Sequence, residues 1–198
     1  MKRKLSLTIS LLLVFIFSKA QVDILKDKIE KILKDKNATV GVSIVANNYK
    51  DTLNINGNEH FPMQSVYKFP IALAVLSEID KKKFVLNQKI KIPKKDLLPG
   101  TWSPIREDFP NGTTLTIAEI IKYTISQSDN NGCDILLRLI GGTNAVDDFL
   151  VRNKFSDISV KATEEEAHKE WSIQYQNWAT PISLNNLLMK SYDLTKNK

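Results

Sequence analysis

The chain has 198 residues, of which 42% are hydrophobic and 25% are charged, and this length allows one well-packed core or two small lobes. The formal net charge is +6, but four cations lie in the first twenty residues, so residues 21–198 carry 6 − 4 = +2. A charge this small does not indicate nucleic acid as a partner. The four early cations are Lys2, Arg3, Lys4 and Lys19.

Residues 1–20 predict a secretory signal peptide. Three cations precede an apolar stretch of about ten residues, and a small-residue cleavage site ends at Ala20. The apolar stretch is too short to span a membrane, and no lipid-acceptor cysteine lies near the cleavage site. We therefore expect a mature chain that starts near Gln21 in the periplasm, with no membrane partner. Cys133 is the one cysteine, so we expect no intrachain disulfide and a buried thiol.

Residues 21–60 predict one helix followed by one β-hairpin. An apolar stripe with charges on the other faces is typical of an amphipathic helix over 22–36. From about residue 38 to 56, alternating β-branched residues surround the turn "NNYKD", which indicates a hairpin. A two-stranded hairpin is marginal alone, so it needs more strands or a covering layer.

Residues 61–198 predict a lobe made only of helices. Pro70 must lie near the start of its helix, because deeper inside the helix it would break the hydrogen-bond ladder. Ser65 therefore lies at a helix amino terminus. The segment 97–113 contains several helix breakers and predicts a long loop with one helical turn.

Capping signals divide the later helices. Thr116 and Glu119 form a T-x-x-E capping box. Gly141-Gly142 is expected to end the helix that contains the "NGCDILLRLI" segment, and Thr143 is expected to cap the next one. Pro181 opens a last helix.

Ser65 and Lys68 form the first motif whose side chains could carry out a reaction. They are three residues apart on one helix, so the hydroxyl and the amine share a face. A serine nucleophile needs a neighbouring group to take its proton, and a lysine amine can do this. The N–H groups of the helix amino terminus suit an oxyanion. The alternative is a capping serine followed by a surface lysine.

The second motif is S-D-N at residues 128–130. A serine that attacks an amide needs a donor for the leaving nitrogen, and the hydroxyl of Ser128 can relay a proton to it. The alternative is a polar loop that caps the next helix, because Ser, Asp and Asn are all common at helix entries.

Together the two motifs are more specific than either alone, and the chain resembles the class A serine β-lactamases. The stretches "FPMQSVYKFPIALAVL", "SQSDNNGCDILL" and "YQNWATP" are similar to the branch found in Bacteroidetes and their relatives, which includes the PER, VEB and CepA types. The resemblance covers residues 22 to about 192. It implies an α+β fold of the serine β-lactamase and penicillin-binding-protein type. It also implies a monomer that acts on a small β-lactam with no cofactor and no metal.

The resemblance implies a role for each residue of the two motifs. Ser65 would be the acylated nucleophile and Lys68 its activating partner. Ser128 would pass a proton to the β-lactam nitrogen, and Asn130 would bind the side-chain amide of the substrate. Asp129 would be structural.

The polar segment before the last helix would be the omega loop, at residues 162–180, whose glutamate activates the deacylating water. Glu164, Glu165 and Glu166 all compete for this role. In the branch that the chain resembles, the glutamate lies four residues before a histidine and thirteen before the asparagine of "QNW". This spacing selects Glu164.

The resemblance also leads to expectations for other positions around the site. His168 stands where an asparagine is usual, and it is expected either to position the water or to pack the loop. Ala162 and Asn177 cannot form the Arg to Asp bridge that often pins this loop. Trp102 resembles the aromatic residue at the site entrance, and the alternative is a loop aromatic packed on the core.

The class carries a K-T-G or K-S-G strand beside the site, and neither triplet occurs in this sequence. We therefore expect a truncated or partial form with an incomplete antiparallel sheet, in which the hairpin is present and three strands are missing. Such a form should be aggregation-prone and inactive on cephalosporins. Two rival functions stay open, a penicillin-binding DD-peptidase and a non-catalytic exported binding protein.

Overall fold

The computed structural model describes residues 21–47 and 49–196. The expected signal peptide lies outside these residues. The described chain divides into two compact units, which we call unit 1 (21–47, 49–59 and 180–185) and unit 2 (60–179 and 186–196). No helix in the described chain is long and apolar enough to cross a membrane.

Unit 1 contains the predicted helix and hairpin. Helix α1 covers residues 21–33, and strands β1 (Val42–Ala46) and β2 (Asp51–Ile55) pair antiparallel. The start of helix α8 (Pro181–Lys196) is tied to them, because the side-chain amide of Asn185 donates to Ser43 Oγ at 3.1 Å. The hairpin thus has a helical cover within its own unit.

Unit 2 is built around helix α2 (Lys68–Asp80), which lies against α4 (Ile117–Ser126), α5 (Asn130–Ile140) and α6 (Thr143–Arg152). Two shorter helices complete the set, α3 (Pro104–Asp108) and α7 (Glu164–Lys169). Apolar side chains from these elements are removed from solvent at the centre of the unit, which is the main source of its stability. They include Ile71, Val75, Ile105, Ile117, Ile120, Leu136, Leu137, Val146 and Leu150.

Unit 2 also contains five strands, so the prediction of an all-helical lobe with the hairpin as the only sheet was wrong. Strand β4 (Lys89–Pro93) pairs antiparallel with β5 (Gly112–Thr116). Gly112 has φ 91°, and a Cβ there would lie 2.6 Å from the carbonyl oxygen of Ile92, so the pairing requires glycine. The overall α+β class is confirmed.

The remaining three strands are only two residues long. They form a sheet in the order β3 (Phe61–Pro62), β7 (Trp178–Ala179) and β6 (Ile158–Ser159). Two residues cannot show a period-2 pattern, which is why these strands could not be predicted. Strands β6 and β7 flank the segment that contains the expected omega loop. Strand β7 pairs with β3, which comes just before Ser65, and β6 pairs with the other edge of β7.

Most of the capping predictions are confirmed. Thr116 and Glu119 form a reciprocal capping box at the start of α4, and Gly141 ends α5 with φ 101°. The expected cap at Thr143 was wrong. Gly142 is the N-cap of α6 and Thr143 is its first helical residue, with no side-chain hydrogen bond to the helix end. If Thr143 were the cap, the helix would begin at residue 144. It begins at Thr143 itself, one residue earlier.

Candidate active site

Lys68 is the centre of the site, and its local backbone explains its position. A 3-10 turn at Gln64–Tyr67 runs directly into α2, whose first residue is Lys68. This turn puts Ser65 on the same side as Lys68, with 3.1 Å between Ser65 Oγ and Lys68 Nζ. Ser65 is exposed, whereas Lys68 is only 2% exposed. The hydroxyl therefore faces solvent while the amine approaches it from inside the protein.

The amine of Lys68 also contacts the other predicted catalytic residues. Its Nζ lies 3.0 Å from the carbonyl oxygen of Ser128 and 3.1 Å from Ser128 Oγ. It donates to Asn130 Oδ1 at 2.5 Å and forms an ion pair with Glu164 Oε1 at 3.0 Å. The Lys68 amine thus contacts four other predicted site residues.

Ser128 is held by a strained backbone and a buried carboxylate. Its φ of 57° is uncommon for a residue other than glycine, and the neighbouring Asp129 is fully buried. Asp129 caps α5 by accepting from the backbone N–H of Gly132 at 2.7 Å. It also accepts from the backbone N–H of Ile105 at 2.7 Å and from the Ser103 hydroxyl at 3.0 Å. Asp129 is therefore structural, because all its contacts hold the loop.

Asn130 and Trp102 are linked through the loop before α3. The side-chain amide of Asn130 donates to Thr101 Oγ1 at 2.5 Å, and its backbone N–H donates to the carbonyl oxygen of Trp102 at 3.1 Å. The Trp102 indole is 57% exposed and donates to the carbonyl oxygen of Gln127 at 2.8 Å. Trp102 is therefore not packed on the core. It is fixed beside the site, although Thr101 and not Trp102 lines the pocket.

The three competing glutamates have different surroundings. Glu164 contacts Lys68, whereas the Glu165 carboxylate pairs with Lys169 at 2.8 Å and is not among the residues that line the pocket. This hydrogen bond and charge lower the pKa of Glu165. Glu166 is occupied in a capping box with Thr163, whose backbone N–H it accepts at 2.9 Å. Only Glu164 among the three faces Ser65 across the pocket.

Asp134 is a site-supporting residue that the sequence analysis missed. It lies in α5 with 3% exposure, and its two carboxylate oxygens accept the backbone N–H groups of Glu164 and Glu165, each at 2.9 Å. Burial raises its pKa from 3.8 to about 6, against the effect of these two hydrogen bonds. A lone acid inside the apolar run "GCDILLRLI" was the available signal. Asp134 fixes the start of α7 and therefore the position of Glu164.

Asn177 supplies the second anchor of this loop. Its side-chain oxygen accepts the backbone N–H groups of Lys161 and Ala162 at 2.8 and 2.9 Å, and its amide donates to the Ala162 carbonyl at 2.9 Å. Ala162 and Asn177 stand where the class often has an Arg to Asp bridge, and these three hydrogen bonds tie the base of the loop.

Ser65, Asn130, Glu164 and Asn177 line a pocket with a volume of about 160 Å³. His168 is exposed at its wall, and its imidazole lies against Gly100, where a Cβ would be 3.1 Å from Nε2. Gln64 and Gln174 line the pocket and are joined by a hydrogen bond of 2.7 Å. The described chain contains no cluster of three or more His, Cys, Asp or Glu side chains that could hold a metal ion.

Comparisons with known proteins identify the family of the chain. A sequence model of the β-lactamase enzyme family matches residues 24–196. The β-lactamase VEB-1 of Pseudomonas aeruginosa is 61% identical over 97% of this chain and 64% of its own length. The extended-spectrum β-lactamase PER-1 of the same species is 35% identical over 94% of this chain and 62% of its own length. The crystal structure of TLA-1 extended-spectrum β-lactamase has a TM-score of 0.84 at 51% identity, covering 87% of this chain and 63% of that one.

The chain therefore spans less than two thirds of the length of each of these relatives.

Proposed function

The chain belongs to class A of the β-lactamase enzyme family, and we propose that the protein hydrolyses β-lactams through an acyl-enzyme on Ser65. One observation carries this proposal. Lys68 Nζ lies 3.1 Å from Ser65 Oγ, 3.1 Å from Ser128 Oγ and 3.0 Å from Glu164 Oε1. The nucleophile, the donor to the leaving nitrogen and the base for water thus share one neighbour.

Acylation needs several proton movements, and these distances support them. Lys68 first passes one proton to the Glu164 carboxylate in contact with it, and Ser65 Oγ then attacks the lactam carbonyl carbon as its own proton moves to Lys68. The carbon–nitrogen bond of the ring then breaks, and the Ser128 hydroxyl gives its proton to the leaving nitrogen. Lys68 can restore the proton of Ser128, because both hydroxyls lie 3.1 Å from the same amine.

Deacylation is assigned to Glu164. Its carboxylate takes a proton from a water molecule, which attacks the ester carbonyl and releases Ser65 with its proton restored. Its side chain is 17% exposed and lines the pocket, so water can reach it. His168 lines the same pocket and is proposed to position that water.

Substrate binding is assigned to the polar wall opposite α7. The side-chain amide of Asn130 is proposed to bind the acylamino group of the substrate, since it lies between Lys68 and Thr101. The exposed ring of Trp102 is proposed to stand at the entrance and contact the apolar part of the substrate.

The protein is proposed to work in the periplasm as a monomer. The signal pattern of residues 1–20 supports export. All of the proposed catalytic groups come from one unit of one chain, which supports a site that needs no second copy.

Glu164 favours this function over the two rivals. A DD-peptidase does not need a base for fast deacylation, and a non-catalytic binding protein needs no contact between a buried lysine and a pocket glutamate. The ion pair of 3.0 Å between Lys68 and Glu164 is therefore the feature that favours a hydrolase.

The test is to treat the full-length protein with a chromogenic cephalosporin and, separately, with a fluorescent penicillin. We expect turnover of the cephalosporin and, after brief penicillin exposure, an adduct on Ser65 detected by mass spectrometry. Ser65→Ala should abolish both. Stable labelling without turnover would indicate the peptidase, and no labelling would indicate the binding protein. An adduct on another residue would overturn the assignment of Ser65.

A further inference from the structure

Trp171 is an exposed aromatic residue in the wall of the site, and no role has been given to it so far. It is the first residue of a 3-10 helix, Trp171–Gln176, within the expected omega loop. It lines the same pocket as Ser65 and Asn130, and it is 73% exposed. A large apolar side chain that is left open to solvent in the wall of a concave site is a candidate for contact with the substrate.

The other two tryptophans of the chain have partners and do not line this pocket. The Trp102 indole donates to the carbonyl oxygen of Gln127 at 2.8 Å. The Trp178 ring stacks on His60, with 3.6 Å between the ring centroids and 15° between the planes. Within the part of the chain that the structure describes, the Trp171 ring stacks on no other ring, and its N–H has no hydrogen-bond partner. The Trp171 indole is therefore free to contact a ligand.

Two glutamines fix the backbone of Trp171 relative to the proposed nucleophile. The side-chain amide of Gln174 donates to the Trp171 carbonyl oxygen at 2.8 Å, and its side-chain oxygen accepts from the amide of Gln64 at 2.7 Å. Gln174 is only 8% exposed, and Gln64 directly precedes Ser65. A residue that selects substrates needs support of this kind, because a loosely held side chain discriminates poorly. The start of the 3-10 helix is thus held beside the site.

A β-lactam that is bound for attack by Ser65 would bring its acyl side chain towards this wall. The acylamino group is attached to the carbon next to the lactam carbonyl, and Asn130 is proposed to bind its amide. The acyl side chain then extends past Asn130 into the rest of the pocket. The pocket volume of about 160 Å³ lies below the range of typical ligand pockets, which begins at about 300 Å³, so a bound β-lactam would approach every wall. Among the lining residues of the loop, Trp171 has the largest apolar side chain.

We propose that Trp171 is a specificity-determining residue, whose indole contacts the acyl side chain of the β-lactam and favours aromatic acyl groups over small ones. This inference rests on the proposed function, because it concerns the substrate of the same site. An aromatic acyl group suits an indole, since two rings in offset-stacked or edge-to-face contact gain more than the buried area alone provides. The contact is remote from the lactam carbonyl. It therefore stabilises the bound substrate and the transition state alike.

The test compares two penicillins in the full-length protein and in its Trp171→Ala variant. Phenylacetyl penicillin and acetyl penicillin share the nucleus and the acylamino group, and they differ only in the phenyl ring. We expect kcat/KM for the phenylacetyl compound to fall about three- to tenfold in the variant, the range expected for the loss of one aromatic contact. The value for the acetyl compound should change by less than about twofold, because this substrate has no ring to lose the contact. Trp171→Phe should keep most of the preference.

Tyr175→Ala is the matched control. Tyr175 is an exposed aromatic residue of the same 3-10 helix, but it does not line the pocket, so this variant should leave the ratio of the two kcat/KM values unchanged. An unchanged ratio in Trp171→Ala would overturn the inference, since it would show that the indole does not contact the acyl side chain. An equal loss for both penicillins would also overturn it, because it would mean that Trp171 only holds the loop.

A crystal structure of Glu164→Gln acylated by phenylacetyl penicillin gives a second, independent measurement. This variant keeps Trp171 and should retain the acyl group, because a carboxamide cannot take a proton from water. We expect the phenyl ring to contact the indole, with the ring centroids about 4.5 to 7 Å apart. A phenyl ring against another wall of the pocket would overturn the inference, even if Trp171→Ala does not fold. Failure of the proposed function would be distinct, because then the unmodified protein would form no adduct on Ser65.

Discussion

Replacing Asp134 with asparagine tests two effects of this buried carboxylate. It should hold Glu164 in position, and its ionised form should lower the free energy of unfolding. Asp134 is 3% exposed, and it accepts the backbone N–H groups of Glu164 and Glu165 at 2.9 Å. Asparagine has nearly the same shape but only one acceptor oxygen, and its NH₂ group would face one of these N–H groups. The start of α7 should therefore loosen.

The pKa of Asp134 sets the magnitude. Because burial raises this pKa from 3.8 to about 6, the folded protein binds the proton more tightly than the unfolded chain. The stabilisation linked to this proton is thus fully present below pH 3.8 or so and is lost as the pH rises through about 6. The shift of 6 − 3.8 = 2.2 corresponds to about 3 kcal/mol in the free energy of unfolding.

The assay is urea unfolding of the wild-type protein and of Asp134→Asn between pH 4 and 8. The variant cannot titrate at this position, so the difference in free energy, wild type minus variant, should fall by about 2.4 kcal/mol as the pH rises from 4 to 8, most of the full 3 kcal/mol or so. Titrating groups that do not interact with Asp134 cancel in the difference. Asp148→Asn, at an exposed position of α6, is the control and should give a flat difference. A flat or rising difference for Asp134→Asn would refute the reasoning. In kinetic assays the variant should slow deacylation more than acylation.

Three further predictions concern residues around the site. Glu164→Gln should trap the acyl-enzyme in mass spectrometry, because a carboxamide cannot take a proton from water, whereas Glu165→Gln and Glu166→Gln should still turn over; trapping by either of these would refute the choice of Glu164. Asn177→Ala should lower the free energy of unfolding by about 2 to 3 kcal/mol, since three hydrogen bonds worth about 1 kcal/mol each are lost, and a urea midpoint like that of the wild type would contradict this. Asp129→Ala should be more severe, about 3 to 5 kcal/mol, because buried donors lose a charged acceptor; a loss below about 1 kcal/mol would mean that water replaces the carboxylate.

The contact between Ser65 and Lys68 could be predicted because its geometry is local. The two residues are three positions apart, and the 3-10 turn that runs into α2 brings their side chains together. The position of Ser128 next to Lys68 depends on the packing of α5 against α2, which the sequence alone does not specify. There the resemblance to a known class supplied what the spacing did not.

The supporting residues could not be predicted because their partners are backbone groups far away in sequence. Asp134 binds N–H groups thirty residues later, and no pattern of side chains records such a pair. Strands β4 and β5 were missed for a related reason, because their pairing joins residues that are 19 to 27 positions apart in the sequence.

The contacts of Lys68 fit a single site for both half-reactions of the proposed mechanism. Its Nζ has five oxygen neighbours within about 3.1 Å, from Ser65, Ser128 (two oxygens), Asn130 and Glu164, whereas an ammonium group has only three N–H donors. No single arrangement of protons satisfies every neighbour at once. A neutral amine can accept from one serine hydroxyl while it donates to Asn130, and an ammonium group can donate to Glu164 and to Ser128. Both proton states are therefore accommodated with the heavy atoms in place, as a relay between two hydroxyl groups requires.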